Sequence, residues 1–217
     1  MPDARMPDHT TPEPVPLVPE ITLHTAGDIT ALWERLGTPD PPFWAFPWAG
    51  GQALARHLLD HPDLTAGKRV LDLATGSGLV AIAAARTGAA HVTANDVDPL
   101  AGEAATRNAH ANDVTLTVEI ADLLDTDTDH DVVLTGDAFY DRDMAARVLP
   151  FLHRAHHRGA LVLIGDPQRA HLPRTGLTRV ATHQVPVPRD LEGTTLRTTH
   201  VWRLRPENRY TTPGHHQ

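Results

Sequence analysis

The chain has 217 residues, of which 27 are acidic, 19 are basic and none is cysteine, and its formal net charge is -8. The absence of cysteine excludes disulfide scaffolds and thiolate metal sites. The negative charge disfavours a surface that neutralises many phosphates, so we expect no nucleic-acid partner. No apolar run is long enough to span a membrane and no leader segment is visible, so we expect a soluble, cytoplasmic protein without a membrane partner.

The first part of the chain predicts an arm followed by a short helix. Residues 1–20 contain six prolines and few apolar side chains, which predicts a disordered arm. Residues 21–205 are predicted to form one folded domain, and residues 28–60 its helical cap. Asp28 can cap a helix in which Ile29, Leu32, Trp33 and Leu36 share one apolar face.

The centre of the chain alternates strand-like and helix-like segments, which is typical of crossover units on a parallel sheet. The predicted strands are 69–73, 91–95, 114–120, 131–135 and 160–165, and the predicted helices are 79–86, 99–111 and 141–157. Two further strands, 180–187 and 198–204, are joined by a polar turn. Residues 206–217 are predicted to be a flexible tail. This pattern predicts an α/β, Rossmann-like, doubly wound fold.

A glycine turn between the first strand and the first helix of this region predicts a cofactor site. Gly76 and Gly78 would let backbone amides approach a ligand, and Asp96 could bind two ribose hydroxyls. This spacing equally suits a dinucleotide such as NAD. Asp72 favours S-adenosylmethionine, because a carboxylate there would repel a pyrophosphate but attract an ammonium and a sulfonium.

Residues after the next two strands add weaker indications of the same site. Asn95 and Asp96 end the second strand, and Val97 is placed to pack on an adenine. Asp122 follows the third strand, where its side chain or the adjoining backbone could accept a hydrogen bond from the adenine amine. Asp122 could equally be a solvated loop acid, because three more aspartates follow it.

Two acids and two aromatic residues at later strand ends predict a catalytic edge. A free lysine amine is neutral in roughly one molecule per thousand at pH 7, so methyl transfer to it needs help with deprotonation. Asp137 could dock the ammonium and take its proton, while Phe139 and Tyr140 shield the pocket. Asp166 ends the next strand near the same rim. The alternative roles are a helix cap for Asp137 and a turn initiator for Asp166.

An aromatic block at residues 43–52 lies upstream of these motifs in a chain that is only 5% aromatic. Trp44 and Trp48 are two of the four tryptophans. The block predicts a wall over a flat or apolar ligand. The alternative is a hydrophobic plug beneath the first helix.

On these motifs, the chain resembles the class I, seven-strand S-adenosylmethionine-dependent methyltransferases. It is similar more narrowly to the protein-lysine methyltransferases that modify the beta subunit of electron transfer flavoprotein, whose bacterial relatives carry a nicotinamide N-methyltransferase-like label. The resemblance spans residues 32–204 and is most specific at residues 48–54, 136–140 and 165–167. It implies strand order 3-2-1-4-5-7-6 with strand 7 antiparallel.

The resemblance also implies which residues act. Asp72, Gly76, Asp96 and residues 48–52 would hold the cofactor, and Asp137 with Tyr140 would face the lysine. Together with the motif analysis, the predicted cofactor-binding residues are Trp48, Gly51, Gln52, Asp72, Ala74, Thr75, Gly76, Gly78, Asn95, Asp96, Val97 and Asp122, and the predicted catalytic residues are Asp137, Phe139, Tyr140 and Asp166. Ala74 stands where the family usually has a glycine, so its methyl group is expected to weaken cofactor binding.

Histidines and arginines in or directly after the predicted helix 141–157 allow other interpretations. His153, His156 and His157 could suggest a metal, but no third ligand is near in the sequence and the neighbouring arginines would repel a cation, so we expect a solvated helix face and no metal. Arg147, Arg154 and Arg158 could form either a docking strip for an acidic partner or a plain helix face.

Three functions stay open at this point: a protein-lysine N-methyltransferase, a small-molecule or peptide methyltransferase of a biosynthetic pathway, and a binding protein without turnover. An open acidic groove would favour the first and a capped cavity the second. The expected partner is therefore a lysine-bearing protein or a small-molecule acceptor. The sequence does not determine the oligomeric state, for which a monomer is the working expectation.

Overall fold

A β-hairpin begins the part of the chain that the computed structural model describes, residues 10–205. In this hairpin, β1 (Thr10–Val15) pairs antiparallel with β2 (Val18–Ala26). The prediction of a disordered arm over residues 1–20 is therefore wrong for residues 10–20. Residues 1–9 and the predicted tail at 206–217 lie outside the described residues.

The hairpin is ordered because its apolar side chains are buried and because Asn112, at the end of a later helix, forms hydrogen bonds with it. Ile21 and Leu23 are completely buried in the main hydrophobic core. The Asn112 side chain accepts from the Thr22 N–H at 3.0 Å and donates to the Thr22 carbonyl at 2.6 Å. The two prolines of β1 lie on an edge strand, where a missing N–H donor is tolerated. Proline content alone therefore overstated the disorder.

Two helices follow the hairpin, within residues 28–60, where the sequence predicts a helical cap, and the second of them packs into the main core. In α1 (Ile29–Leu36), the Asp28 carboxylate accepts an N–H of the first turn, and Gly37 ends the helix with a φ of +61°. This confirms the predicted cap at Asp28, and the left-handed glycine ends the helix. A 3-10 turn at Phe43–Ala45 then leads into α2 (Ala49–Asp60).

A seven-stranded sheet forms the centre of the domain. Its strands are β3 (Arg69–Leu73), β4 (His91–Asp96), β5 (Thr117–Ile120), β6 (Val132–Gly136), β7 (Leu161–Asp166), β8 (Leu177–Pro186) and β9 (Leu196–Leu204). Their spatial order is β5-β4-β3-β6-β7-β9-β8, and β9 runs antiparallel to both neighbours. Numbered from β3, this order is 3-2-1-4-5-7-6, which confirms the predicted topology. β5 begins at Thr117 rather than at 114, and β8 begins at Leu177 rather than at 180.

Helices cover both faces of the sheet and divide the core in two. The helices after α2 are α3 (Leu79–Arg86), α4 (Pro99–Ala111), α5 (Arg142–His157) and the short α6 (Arg189–Glu192). One core contains Leu54 and Ile82 from α2 and α3, and the other contains Phe151 from α5. Among residues 10–205, the helices lack the length and apolar character needed to cross a membrane.

Three glycines, Gly50, Gly136 and Gly165, let the start of α2 touch the ends of two central strands. A Cβ on Gly165 would lie 2.8 Å from the Gly50 carbonyl carbon and 2.9 Å from the Leu54 Cβ, and it would overlap the Gly50 carbonyl oxygen. A Cβ on Gly136 would lie 2.9 Å from the Gly51 Cα. Side chains at these positions would push α2 away from the sheet. The glycines therefore place the first turn of α2 at the carboxyl edge of β6 and β7.

We expect Gly165→Ala to lower the free energy of unfolding by about 2 kcal/mol, because overpacking a tight contact forces backbone shifts. Urea denaturation measures this change. Gly27→Ala is the matched control, since no atom lies within 4 Å of the added methyl group. Equal stability of the two variants would contradict the close contact between α2 and β7.

Candidate active site

A cavity of about 1310 Å³ opens at the carboxyl ends of β3, β4 and β6. Its wall also includes the segment before α2 and the first turns of α4 and α5. Small-molecule pockets usually measure roughly 300 to 1,000 Å³. This cavity is therefore large enough for a cofactor-sized ligand together with the end of a second reactant.

Asp72 lies at the floor of the cavity and is almost completely buried. Its Oδ2 accepts hydrogen bonds from the Thr75 hydroxyl at 2.5 Å and the Ala81 N–H at 3.0 Å. Burial raises the pKa of Asp72 to about 7, although these two hydrogen bonds lower it. The charged form of Asp72 is therefore costly in the empty protein, and a cation in the cavity would stabilise it.

The glycine turn that follows β3 requires left-handed backbone at three positions. Ala74, Gly76 and Gly78 have φ values of +55°, +52° and +82°. Gly76 lines the cavity, whereas Gly78 faces α4, where an added Cβ would lie 3.0 Å from the Ala105 Cα. Ala74 also lines the cavity, and its Cβ makes this conformation strained, by about 1 kcal/mol.

Asp96 links the ends of β3 and β4. Its Oδ2 accepts from the Gly76 N–H at 2.9 Å, and its Oδ1 accepts from the Val97 and Asp98 N–H groups at 2.8 and 3.1 Å. These bonds fix the carboxylate at the cavity wall. Burial raises the pKa of Asp96, and the three backbone bonds oppose that rise.

The two neighbours of Asp96 have different environments. The Asn95 amide donates to two backbone carbonyls, at 3.0 and 2.9 Å, and so joins β4 to β5 and the loop behind it. Val97 lines the cavity and is 66% exposed. Its apolar surface is therefore free to cover a ligand.

Asp122 lines the cavity but is held in an ion pair. Its two oxygens accept from the Arg147 guanidinium at 2.8 and 3.2 Å. Arg154 and Arg158 likewise bond to residues of the acidic loop 122–129. These contacts support the plain helix face for the three arginines rather than a docking strip, because each already has an acidic or carbonyl partner.

Asp137 is held at the meeting point of three elements. Its Oδ2 accepts from the N–H groups of Gly50 and Gly51 at the start of α2, the second at 3.2 Å. Its Oδ1 accepts from Arg169 Nε at 3.0 Å and Nη2 at 2.8 Å. Burial raises the pKa of Asp137, and Arg169 opposes the rise. Both carboxylate oxygens are therefore already engaged within the protein.

Aromatic side chains form part of the cavity wall. The rings of Phe43 and Tyr140 lie 5.2 Å apart and those of Phe46 and Trp48 5.3 Å apart, measured between centroids. Trp48 Nε1 donates to the Phe43 carbonyl at 2.8 Å, which fixes the indole. All four residues line the cavity, and Tyr140 is 45% exposed. The aromatic block is therefore a cavity wall, although Trp44 within it is also buried against α4.

Four of the predicted site residues are not brought to the cavity lining: Gln52, Gly78, Phe139 and Asp166. Gln52 is buried and joins the Pro47 carbonyl to the Leu17 N–H. Phe139 is completely buried in the core under α5. Asp166 is completely buried beside that core. For these residues the sequence pattern located the right elements, but packing directs the side chains of Gln52, Phe139 and Asp166 into the protein interior, and Gly78 faces α4.

Arg169 is a cavity residue that the sequence analysis missed. Its guanidinium bonds to Asp137 and to Glu192 of α6, and its Cζ lies 5.9 Å from the centroid of the Trp48 ring. A signal was available, because Asp137 and Asp166 end adjacent strands and two buried acids need a nearby cation. Arg169 is the first basic residue after Asp166.

Comparisons with known proteins agree on one chemistry. A family model for ribosomal protein L11 methyltransferase (PrmA) matches residues 53–136. The electron transfer flavoprotein beta subunit lysine methyltransferase of Rattus norvegicus is 40% identical over 200 residues, which cover 88% of this chain and 78% of that protein. The Homo sapiens protein of the same name is 39% identical over 200 residues, with coverages of 88% and 76%.

A solved structure shows the same fold at lower identity. Magnesium protoporphyrin IX methyltransferase from Synechocystis PCC 6803, solved with bound S-adenosylmethionine, has a TM-score of 0.51 and 16% identity. The match covers 70% of this chain and 76% of that one. At this identity, the likeness concerns the fold.

We expect Asp72→Asn to stabilise the ligand-free protein, and to do so more at pH 8 than at pH 5. The pKa of Asp72 is about 7 in the folded chain against an ordinary value of 3.8. Below the ordinary value the carboxyl is protonated in both states and costs nothing, and the cost grows as the pH rises to about 7. Since one pKa unit is worth about 1.4 kcal/mol, the gain should be roughly 2 kcal/mol larger at pH 8.

Thermal unfolding at the two pH values measures this gain. Asp63→Asn, at an exposed turn, is the matched control and should show no comparable pH dependence. A gain that is the same at both pH values would show that the buried carboxylate carries no such cost.

Proposed function

The chain belongs to the family of electron transfer flavoprotein beta subunit lysine methyltransferases, and from that membership we propose that its acceptor is a lysine of the beta subunit of electron transfer flavoprotein. It is an S-adenosylmethionine-dependent methyltransferase. The identity of about 40% across 88% of the chain is the observation that carries the proposed acceptor. The cytoplasmic location and the monomeric state stay predictions from the sequence.

The residues at the cavity floor fit this cofactor. A buried carboxylate with a raised pKa, Asp72, lies where the cofactor's ammonium and sulfonium would bring positive charge. Asp96 is fixed at the end of β4, where its oxygens can accept from ribose hydroxyls while keeping their backbone bonds. Val97 supplies an exposed apolar surface for the adenine.

Other predicted cofactor residues shape the cavity in this proposal. Thr75 and Gly76 form the turn that the cofactor would meet, and Asn95 holds β4 and β5 together beneath it. Gly51 and Trp48 form another part of the cavity wall. The Asp122 ion pair leaves its neighbouring backbone as the better candidate for the adenine amine.

The acceptor side of the cavity combines aromatic rings with exposed acids. When bound, the cofactor supplies an activated methyl group on a sulfonium. Tyr140 and Phe43 can enclose the lysine side chain, exclude water from it and attract its ammonium through their ring faces. Asp40, Asp141 and Asp143 are exposed at the cavity lining and attract a cationic acceptor. This open acidic mouth favours a protein acceptor over a small molecule in a closed pocket.

The role proposed for Asp137 changes with its contacts. Because both of its oxygens are engaged by Arg169 and by α2, it orders the site and contributes negative charge to it. A lysine ammonium near Asp137 would share the oxygen that Arg169 occupies. Positioning and desolvation of the amine are therefore the main contributions that we propose for this site.

A direct test combines the purified protein with S-adenosylmethionine and the electron transfer flavoprotein beta subunit from the same organism. We expect mass increases of about 14 Da per methyl group, confined to lysine, because the transferred unit replaces one hydrogen. Asp72→Asn should abolish the modification and weaken cofactor binding at least tenfold, since it removes the buried negative charge. Intact-protein mass spectrometry and titration calorimetry measure these effects. Cofactor binding without modification of this acceptor would overturn the proposed substrate and leave the small-molecule alternative.

We expect Ala74→Gly to tighten S-adenosylmethionine binding severalfold. The substitution removes a methyl group from the cavity wall, and relief of crowding worth about 1 kcal/mol corresponds to roughly fivefold in affinity. The left-handed strain at Ala74 is relieved in the free and the bound protein alike and so contributes to stability rather than to affinity. Titration calorimetry measures the change. Ala121→Gly removes a methyl group elsewhere on the lining without a left-handed backbone and should not tighten binding. Unchanged affinity in Ala74→Gly would sink the crowding argument.

A further inference from the structure

The guanidinium of Arg169 lies between two acids at the edge of the cavity. Nε and Nη2 donate to Asp137 Oδ1 at 3.0 and 2.8 Å, and Nη2 also donates to Glu192 Oε1 at 2.8 Å. Glu192 comes from α6, and its side chain is only 2% exposed. Arg169 therefore joins the end of β6 to the segment between β8 and β9.

The other face of Asp137 connects this ion cluster to the cofactor wall. Its Oδ2 accepts from Gly50 and Gly51, whose N–H groups have no partner within α2 because they begin the helix. The residue before the helix is Trp48, whose ring lies beside Arg169. Movement of Asp137 would therefore move both the start of α2 and the indole.

We propose that Arg169 is a positioning residue of the methyltransferase. It keeps Asp137 ionised, so that Asp137 binds the start of α2 and thereby fixes the cofactor wall from Trp48 to Gly51. Glu192 acts in the opposite sense, because its negative charge disfavours the ionised form of Asp137. The inference concerns the methyltransferase cavity and is independent of the identity of the acceptor. It assigns a role to two residues that the motif analysis did not identify.

The charges around Asp137 define a test with two opposite signs. Burial raises the pKa of Asp137, the positive charge of Arg169 lowers it, and the negative charge of Glu192 raises it. Two further charged groups lie in this cluster. The Asp166 Oδ1 accepts from the backbone N–H of Arg169 at 2.6 Å, and Arg197 Nε of β9 lies 3.5 Å from Glu192 Oε2. Removing Arg169 or Glu192 should therefore shift the protonation of Asp137 in opposite directions.

The experiment measures the affinity for S-adenosylhomocysteine by titration calorimetry from pH 5 to 9, with no acceptor present. In Arg169→Ala, protonation of Asp137 should occur at higher pH, so that affinity at pH 7 falls roughly tenfold and recovers only at a higher pH than in the unchanged protein. In Glu192→Gln, which keeps the side-chain shape, the acid-side loss of affinity should move to lower pH. Asp72 titrates alike in every variant. Differences between variants in the pH dependence of affinity therefore report on the charged groups around Asp137.

Two more variants separate positioning from folding. Arg169→Lys restores the charge with a single ammonium and should place the midpoint between those of the unchanged protein and Arg169→Ala. Arg69→Ala is the matched control, because Arg69 forms a two-bond pair with Asp129 at the exposed amino end of β3, far from the cavity. The proposal would be overturned if the midpoint of the pH profile moved in the same direction in Arg169→Ala and Glu192→Gln. It would also be overturned by a loss of affinity that is equal at every pH. Failure of the beta subunit to be methylated would leave this result unaffected.

Discussion

The contact between the start of α2 and the ends of β6 and β7 is the constraint on which the site depends. Gly50 and Gly165 let the two backbones meet, and the Asp137 carboxylate accepts the first free N–H groups of the helix. The positive end of the helix dipole and the buried negative charge stabilise each other. Because Trp48 immediately precedes α2, this one contact also sets the aromatic wall of the cavity.

Buried carboxylates give the cavity its chemical character. Asp72 and Asp137 are both buried at the cavity, and burial raises the pKa of each. Asp137 has an arginine beside it, whereas Asp72 has only neutral donors in the protein. A cationic ligand would therefore supply the charge that Asp72 lacks. The buried carboxylate therefore lowers the stability of the protein in exchange for this preference, as functional groups commonly do.

The acidic side chains of loop 122–129 are paired with arginines, whereas those at the mouth of the cavity are exposed. The acidic loop 122–129 is bonded by arginines of α5, so its charges are largely compensated locally. Asp40, Asp141 and Asp143 stay exposed at the cavity. The mouth of the cavity therefore carries exposed negative charge that attracts a cation. This arrangement links the family's chemistry to the geometry of this chain.

The sequence by itself determined the succession of strands and helices, the glycine turn and the positions of Asp72 and Asp96, because hydrophobic periodicity and turn residues act locally. The order of the strands within the sheet followed only from the family resemblance. Tertiary structure alone decided that residues 10–20 fold, since their order depends on Asn112 and on a distant core. It also decided that Phe139 turns into the core and that Arg169 reaches both Asp137 and Glu192. Side-chain direction and long-range ion pairing depend on how elements pack, and no local pattern encodes that packing.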